Sequence, residues 1–349
     1  MSFTVPQFAP FDAALAQRLR ARIDGKAKPP GSLGRLEDLA VTIGLIQGSE
    51  RPRIGAVEAL VFAGDHGLNA EGVSAYPSAV TAAMVATFLA GQASVNALAA
   101  ACDVTVRVVD AGVDADLPPH PRLVDAKVRR GSRNAATGPA LTEAEVGAAL
   151  SRGAEIAASS PADALAIGEM GIGNSAAAAL IMHRLAPAPL DVCIGAGAGH
   201  DAEGMARKRA VLARAAARTA ASAPLDVLSE FGGLEIVMMA GAFLGGAAAG
   251  KVMLADGFIS SAAALAALRL APGLHGRLVF AHTSAEQGHV GLLHAAEGQP
   301  LLDLGMRLGE GSGAVLCAPL LRAAARLMTD TAALEDVLAG RVAPNPVAS

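Results

Sequence analysis

Aromatic side chains are scarce in this sequence, which contains no tryptophan, one tyrosine and nine phenylalanines among its 349 residues. The core must therefore be filled mainly by aliphatic side chains, and a hydrophobic fraction of 52% supplies enough of them. No long stripe of lysine and arginine is interleaved with aromatic residues, and the formal net charge is only −4. The composition predicts a globular protein that binds no nucleic acid.

Cysteine pairs and apolar runs of membrane length are also missing. Cys102, Cys193 and Cys317 lie far apart in apolar surroundings, so we expect them to be reduced core residues. The first 23 residues lack the basic start and the continuous apolar block of a signal peptide. The uncharged stretch 236–250 has 15 residues, whereas a membrane span needs about 20, and we interpret it as a buried helix. These features predict a cytoplasmic protein with no membrane partner.

Short β-branched runs recur along the chain, and each is followed by glycine or polar residues and then by an alanine-rich helical pattern. Apolar strands that alternate with helices are typical of a parallel sheet covered on both faces. We therefore predict an α/β fold with a Rossmann-like, six-stranded parallel sheet flanked by helices. The predicted strands are residues 57–62, 104–109, 164–167, 192–194, 252–254 and 278–280.

Both ends of the chain carry helical patterns instead of strands. We predict that residues 56–288 form the α/β core, and that residues 1–55 and 289–349 form a smaller helical domain that closes the site. The predicted helices of this domain are residues 12–23, 33–46, 314–328 and 332–338. Residues from Val342 onward contain prolines and are expected to be frayed.

Most polar and glycine-rich segments of this apolar sequence directly follow the predicted strands. In an open α/β sheet, ligands bind in the crevice beyond the carboxyl ends of the strands. The segments should therefore meet around a small-molecule site, which indicates an enzyme. They are GDHG (64–67), DAG (110–112), GEMGIGNS (168–175), GAGAG (195–199), DGF (256–258) and HTS (282–284).

The segment 168–175 combines a strand end, a glycine loop and a helix start. Backbone N–H groups and the helix dipole favour an anion there, and Asn174 or Ser175 adds a side-chain donor, although such loops also occur simply as tight turns. The same residues fit the dinucleotide pattern GxGxxA, so an NAD-dependent oxidoreductase is an alternative. It requires an acidic residue at the end of the next strand, whereas Asp191 precedes its predicted strand.

Glu310 lies in the segment GEGSG (309–313), among four small residues and just before an apolar helix. Small neighbours leave room for a ligand ring, and apolar surroundings should raise the pKa of the carboxyl group. Both conditions suit a general base. A glutamate at a helix start also complements the helix dipole without any catalytic role, and this alternative stays open.

Motifs for metals and nucleophiles are weak or missing. His282, Glu286 and His289 do not have a known metal-ligand spacing, even if Asp65 and His66 lie near them. The sequence has no GxSxG elbow, no GxxxxGK[ST] phosphate loop and no adjacent acidic residues after a strand that would hold magnesium pyrophosphate. We therefore predict no metal and no cofactor.

Eight segments occur together in a fixed order, and although each is weak alone, their combination is specific. They are KPPGSLGRLE (28–37), AGDHG (63–67), EGV (71–73), GEMGIGNS (168–175), FGG (231–233), DGF (256–258), HTSAE (282–286) and MRLGEGSG (306–313). Over about residues 20–330 the sequence closely resembles the nicotinate-nucleotide–dimethylbenzimidazole phosphoribosyltransferase family. That family makes α-ribazole 5′-phosphate for the lower ligand of cobalamin.

The resemblance implies a homodimer that transfers the phosphoribosyl group of nicotinate mononucleotide to a benzimidazole-type base. Glu310 matches the catalytic base of the family, and Glu169 and Asp256 match two further acidic residues of its active site. The positions that match nucleotide and phosphate contacts are Gly171, Gly173, Asn174, Ser175, Lys208 and Ser284. The expected base pocket consists of Tyr76, Met84, Met170 and Leu308.

Tyr76 and Met84 depart from family members that carry a serine and a glutamine against the base. An aromatic ring and a thioether favour a flat apolar ligand, so an azole base is still expected. The preferred base stays open, and so does the alternative that both residues only pack. A non-catalytic nucleotide-binding protein of the same fold is a further alternative, against which the presence of Glu310 argues.

Overall fold

The fold is built on an open parallel sheet whose strands follow the Rossmann order. The computed structural model describes residues 3–197 and 199–342. The strands lie in the order β3-β2-β1-β4-β5-β6, and each pairing is parallel, so the predicted fold class is confirmed. They are β1 (Val57–Gly64), β2 (Thr105–Gly112), β3 (Leu123–Asp125), β4 (Ala164–Met170), β5 (Val252–Ala255) and β6 (Leu278–Phe280).

Helices cover both faces of the sheet. Side chains alternate along β1, so that Leu60 and Phe62 enter one hydrophobic layer while Ala59 and Val61 enter the other. The first layer contains α5 (Glu143–Ser159), α6 (Asn174–Leu185), α7 (Leu190–Cys193), α8 (Ala202–Ala217), α9 (Pro224–Phe231), α10 (Leu234–Ala248), α11 (Phe258–Leu270) and α12 (His289–Ala295). The second contains α1 (Ala13–Asp24), α2 (Arg35–Gln47), α3 (Ala79–Leu89), α4 (Ser94–Ala101), α13 (Ser312–Leu316) and α14 (Ala318–Asp330).

The two ends of the chain pack against each other through α1, α2 and α14. The backbone N–H of Ala27 donates to Ala332 O, and that of Leu334, which begins α15 (Leu334–Leu338), donates to Gly25 O. The predicted helix at residues 314–328 is divided between α13 and α14, because Pro319 in the first turn of α14 has no N–H to continue the ladder. The division into two domains stays a prediction, and residues 343–349, predicted to be frayed, lie outside the described residues.

The strand predicted at residues 192–194 is wrong. These residues belong largely to the short helix α7, with Pro189 as its N-cap and Asp191 in its first turn. A run of three apolar residues does not distinguish a strand from one turn of buried helix. The sixth strand is instead β3, an edge strand of three residues that are partly or fully exposed. The glycine run 195–199 therefore does not follow a strand, and its Ala198 lies outside the described residues.

The stretch Ala79–Ala101 is the part of the described chain that is long and apolar enough by composition to cross a membrane. Its backbone is not helical between residues 90 and 93, so it forms the separate helices α3 and α4. One third of this stretch is buried inside the protein. The helix α10, expected from the stretch 236–250, is buried along nearly its whole length.

Candidate active site

A cavity of about 470 Å³ opens at the carboxyl ends of β4 and β5. From β1 the chain adds β2 and β3 on one side of the sheet, and it then returns to add β4, β5 and β6 on the other side. The strand order therefore reverses between β1 and β4, and open α/β folds bind ligands beside such a reversal. Twelve of the thirteen predicted site residues line this cavity, and the remaining one, Lys208, contacts its wall. The twelve are Tyr76, Met84, Glu169, Met170, Gly171, Gly173, Asn174, Ser175, Asp256, Ser284, Leu308 and Glu310. Their individual roles stay predictions.

Glu169 is placed by the carboxyl end of β4 and is almost completely buried. Its Oε2 accepts a hydrogen bond from the side-chain amide of Asn174, the first residue of α6. Burial raises the pKa of Glu169 to about 8, and the neighbouring carboxylates of Asp256, Glu235 and Glu310 add to this effect. Glu169 therefore carries a proton at neutral pH when the cavity is empty.

The loop between β4 and α6 provides an anion site. Gly173 caps α6 with a backbone φ of 95°, a left-handed conformation that glycine adopts without strain. In the first turn of α6 the N–H groups of Asn174 and Ala176 donate to Gly171 O and Gly173 O, so this turn offers an anion the positive end of the helix dipole and the N–H of Ser175. The Lys208 Nζ donates to Ser175 Oγ at 3.0 Å and to Gly195 O at 2.9 Å. Burial lowers the pKa of Lys208 to about 8, and the Glu286 carboxylate opposes this shift. Helix dipole and lysine thus favour a phosphate at one end of the cavity.

Glu310 lies on the loop between α12 and α13, in a run of three residues with left-handed backbone. The φ angles of Gly309, Glu310 and Gly311 are 86°, 63° and 83°. The Glu310 Oε2 accepts the backbone N–H of Val95, in the first turn of α4, at 3.2 Å. Burial raises the pKa of Glu310, and this hydrogen bond opposes the shift. Burial therefore makes this carboxylate a stronger base than an exposed one, as suits a general base.

The strand β4 packs directly against this loop through Gly168. A Cβ atom on Gly168 would lie 2.4 Å from Gly311 N and 2.5 Å from Glu310 C, so only glycine allows the loop to pack here. Asp256, directly after β5, accepts the backbone N–H groups of Gly311 at 3.2 Å and Ala314 at 2.9 Å. Burial raises the pKa of Asp256, and the neighbouring His282 opposes this. The loop that carries Glu310 is thus held by two adjacent strands of the sheet.

The other wall of the cavity is apolar. Tyr76 and Met84 flank Val80, which the sequence prediction missed, and the three residues are spaced by four, so they lie along one side of α3 and its preceding turn. Met170 and Leu308 also line the cavity. Tyr76 is 49% exposed, which places it at the rim. This wall suits a flat apolar ring that also presents a polar edge to Glu310.

Three further groups of the site were not predicted. Glu286 Oε1 accepts the Gly197 N–H at 3.0 Å, and Arg307 lines the cavity. Both belong to segments that the sequence indicated, HTSAE and MRLGEGSG, but nothing in the sequence showed which of their polar residues face the ligand. The N–H of Val95 is a backbone group in an apolar helix, and no sequence signal could have identified it. Asp191, the acid that a dinucleotide site would need, is exposed on α7.

Comparisons with known proteins agree on one family. The sequence model of a family described as "Phosphoribosyltransferase" matches residues 8–337. A nicotinate-nucleotide–dimethylbenzimidazole phosphoribosyltransferase of Variovorax paradoxus is 49% identical over 334 residues, which are 95% of this chain and 96% of the relative. A protein of the same name from Cupriavidus taiwanensis is 50% identical over 331 residues, covering 94% and 96% of the two chains. The crystal structure of CobT from Thermus thermophilus superposes with a TM-score of 0.90 at 45% identity, over 95% of this chain and all of that one.

Proposed function

The chain belongs to the nicotinate-nucleotide–dimethylbenzimidazole phosphoribosyltransferase family, and from this premise we propose that it moves the 5-phosphoribosyl group of nicotinate mononucleotide to 5,6-dimethylbenzimidazole or a related azole. The products are α-ribazole 5′-phosphate and nicotinate, in the nucleotide-loop branch of cobalamin biosynthesis. The observation that carries this proposal is the cavity itself. It joins a buried glutamate on a left-handed loop, an anion site at a helix start and an apolar wall in about 470 Å³.

The phosphate of the donor binds at the start of α6 in this proposal. Lys208 and the hydroxyl of Ser175, already joined by a hydrogen bond, face it together with the N–H of Ser175 at the start of α6. Ser284, which lines the cavity beyond β6, is assigned to the ribose. These contacts lie away from the bond that breaks, so their binding energy serves to orient C1′.

Glu310 accepts the proton from the N–H of the azole while the other ring nitrogen attacks C1′ of the ribose. The bond from C1′ to the pyridinium nitrogen breaks, and its electron pair neutralises the nicotinate ring. Attack from the face opposite to the leaving group converts the β-nucleotide into an α-riboside. The reaction written in this way balances without a metal ion or a redox cofactor.

We assign to Glu169 the stabilisation of the positive charge that develops on the ribose. The transition state has oxocarbenium character, and a carboxyl group beside it stabilises positive charge more as that charge grows. Glu169 holds its proton in the empty cavity. When the donor binds, the positive charge of its pyridinium ring lowers the pKa of Glu169 and favours release of that proton. Glu169 is then ionised when the ribose needs it.

The acceptor occupies the apolar wall formed by Tyr76, Met84, Met170 and Leu308. The ring lies flat against these side chains, and its N–H edge points to Glu310. An aromatic side chain and two thioethers bind a methylated bicyclic ring better than a polar one. We therefore propose a benzimidazole-type base over adenine. We also propose a homodimer in the cytoplasm as the working form of the protein.

In the test, purified protein is incubated with nicotinate mononucleotide and 5,6-dimethylbenzimidazole in the presence of a metal chelator, and the products are followed by chromatography. The proposal predicts equal amounts of free nicotinate and α-ribazole 5′-phosphate. No product with this base, with adenine or with other azoles contradicts it and favours a nucleotide-binding protein without turnover. Tight binding of NADH, measured by fluorescence, would instead revive the oxidoreductase.

A further inference from the structure

Asp256 lines the cavity, but both of its carboxylate oxygens are already occupied by the loop of Glu310. Oδ2 accepts the N–H of Gly311 at 3.2 Å, and Oδ1 accepts the N–H of Ala314 at 2.9 Å. The side chain is only 2% exposed. In this arrangement each carboxylate oxygen is bound to the backbone of the loop.

The loop requires such an anchor because its backbone is strained. Left-handed φ angles are unfavourable for a residue with a Cβ atom, and Glu310 has one at 63° between two glycines that also have positive φ. Among the described side chains, Asp256 is the one that accepts N–H groups from residues 309–314, and it accepts two of them. Strain of this kind persists only where the surrounding structure holds it in place.

His282 lies behind Asp256 and supports it. Its Nε2 is 3.8 Å from Asp256 Oδ1, and both side chains are buried. The same ring packs on the Cα of Gly313, where a Cβ atom would lie 2.1 Å from the imidazole. His282, which follows β6, thus contacts Asp256, which follows β5. Asp256 in turn binds Gly311 and Ala314, on the two sides of the first residue of α13.

We propose that Asp256 is a positioning residue that acts through Glu310 and makes no contact with the reacting atoms. It holds the backbone of residues 311–314 so that the Glu310 carboxylate stays at the Val95 N–H and faces the azole. This inference rests on the proposed function only in taking Glu310 as the base. The anchoring itself is a property of the unliganded protein and can be tested without turnover.

The first experiment is a double-mutant cycle with Asp256→Asn and Glu310→Gln, assayed for nicotinate release. The asparagine can accept only one of the two N–H groups, so we expect turnover to fall about 10- to 100-fold in the single variant. If Asp256 acts only through Glu310, adding D256N to E310Q costs less than about a further threefold. A multiplicative loss in the double variant means that Asp256 contacts the ribose independently, and it overturns the proposal.

The second experiment measures hydrogen exchange of the peptide that contains residues 309–316 in the intact protein. We expect D256N to speed exchange of the Gly311 and Ala314 amides while the peptides of β1 and β4 keep their protection. Asp110→Asn is the matched control, because Asp110 is also buried, near the carboxyl end of β2, accepts the Val113 N–H, pairs with Lys127 and does not line the cavity. It should leave both exchange of the loop and turnover unchanged.

Unchanged protection of Gly311 and Ala314 in D256N would overturn the anchor even if the enzyme were active. If wild-type protein released no nicotinate, the proposed function would fail, while the exchange experiment would still decide whether Asp256 holds the loop. The two failures are therefore distinguishable.

Discussion

Glu310 combines a left-handed backbone, a buried carboxyl group and a hydrogen bond from the N–H of Val95. Its replacement by glutamine preserves the size of the side chain but removes the ability to accept a proton. We expect E310Q to lose about 10²- to 10⁴-fold in turnover, the usual contribution of a general base, with little change in the affinity for nicotinate mononucleotide. Steady-state kinetics together with urea unfolding check this, and near-normal turnover in a folded variant would refute the assigned role.

Glu169 links the site to the stability of the fold. Its pKa is about 8 in the folded protein against an ordinary value of 4.5, so between these pH values the folded chain keeps a proton that the unfolded chain releases. Stability therefore falls as the pH rises through this window, by about 1.4 kcal/mol per pH unit from this group alone.

Glu169→Gln should remove this part of the pH dependence. We expect wild type and E169Q to have similar free energies of unfolding near pH 4.5, and E169Q to be the more stable protein at pH 8. Urea titrations at four pH values across the window measure the difference. Parallel curves for the two proteins would show that Glu169 is not held protonated by burial.

The positions of charged site residues could be predicted from the sequence. Glu310 was indicated by its glycine-rich segment and Glu169 and Lys208 by the family resemblance, and all three are at the cavity. The groups that tune them were not predictable. The N–H of Val95 belongs to a backbone, and Glu286 is half-buried among several polar residues of its segment, so their orientation depends on the folded loops.

Among contacts between elements, a buried ion pair lies next to the loop between β4 and α6. His66, after β1, and Glu235, in the first turn of α10, are joined by a contact of 2.6 Å and are almost fully buried. Burial opposes the charge on His66, but the Glu235 carboxylate raises the pKa of this histidine above its ordinary value. The backbone of Gly171 lies against the same carboxylate, so the pair supports the floor of the anion site.

His66→Ala leaves the Glu235 carboxylate buried without its partner. We expect a loss of about 3–5 kcal/mol in the free energy of unfolding, since an uncompensated buried charge is costly. The exposed pair of Arg18 and Glu50 provides the control, and R18A should change stability by less than about 1 kcal/mol. A small effect of H66A in urea unfolding would mean that water or a neighbouring group satisfies Glu235.

The contact between β4 and the loop that carries Glu310 can be tested by a substitution that adds one methyl group to the strand. Gly168→Ala places a Cβ atom at 2.4 Å from Gly311 N, so the loop must move while the strand stays paired on both sides. We expect turnover to fall about 100-fold, the scale of a misplacement near 1 Å. Gly138→Ala, which adds its methyl group in open space, should be neutral in the same assay. Equal activity of the two variants would contradict the close packing.

Elements were predicted well where their patterns were long. The strands β1, β2 and β4 and the helices α1, α2 and α10 lie close to their predicted positions because each has enough residues to show its period. Short elements gave both outcomes, because β5 and β6 were predicted at residues 252–254 and 278–280 whereas α7 was predicted as a strand and β3 was missed. The helix α7 and the strand β3 have four and three residues, and their conformation depends on tertiary contacts that no local pattern encodes.

At the scale of the whole molecule, the surface retains large aliphatic side chains that the described chain does not cover. The helix α15 has no buried residue, and its Leu334, Val337 and Leu338 are exposed. Leu304 and Leu308 near the cavity are exposed as well. Such a surface fits the proposed homodimer, in which part of this apolar area would be removed from water.

Sedimentation equilibrium tests that assembly. We expect a mass of twice the 34.8 kDa of one chain at micromolar concentration, because burial of this apolar surface between two copies favours association. Dilution to nanomolar concentration, followed by mass photometry, estimates the affinity. A single-chain mass at every concentration would remove the homodimer from the proposal while leaving the cavity unaffected.

The scarcity of aromatic residues has a practical consequence at the rim of the cavity. The chain has no tryptophan, and its single tyrosine is Tyr76, on the wall assigned to the base. Nearly all ultraviolet emission of the protein therefore comes from one ring in one place. An azole that stacks there should quench that emission, so the protein carries a built-in, label-free optical reporter of which bases enter its pocket.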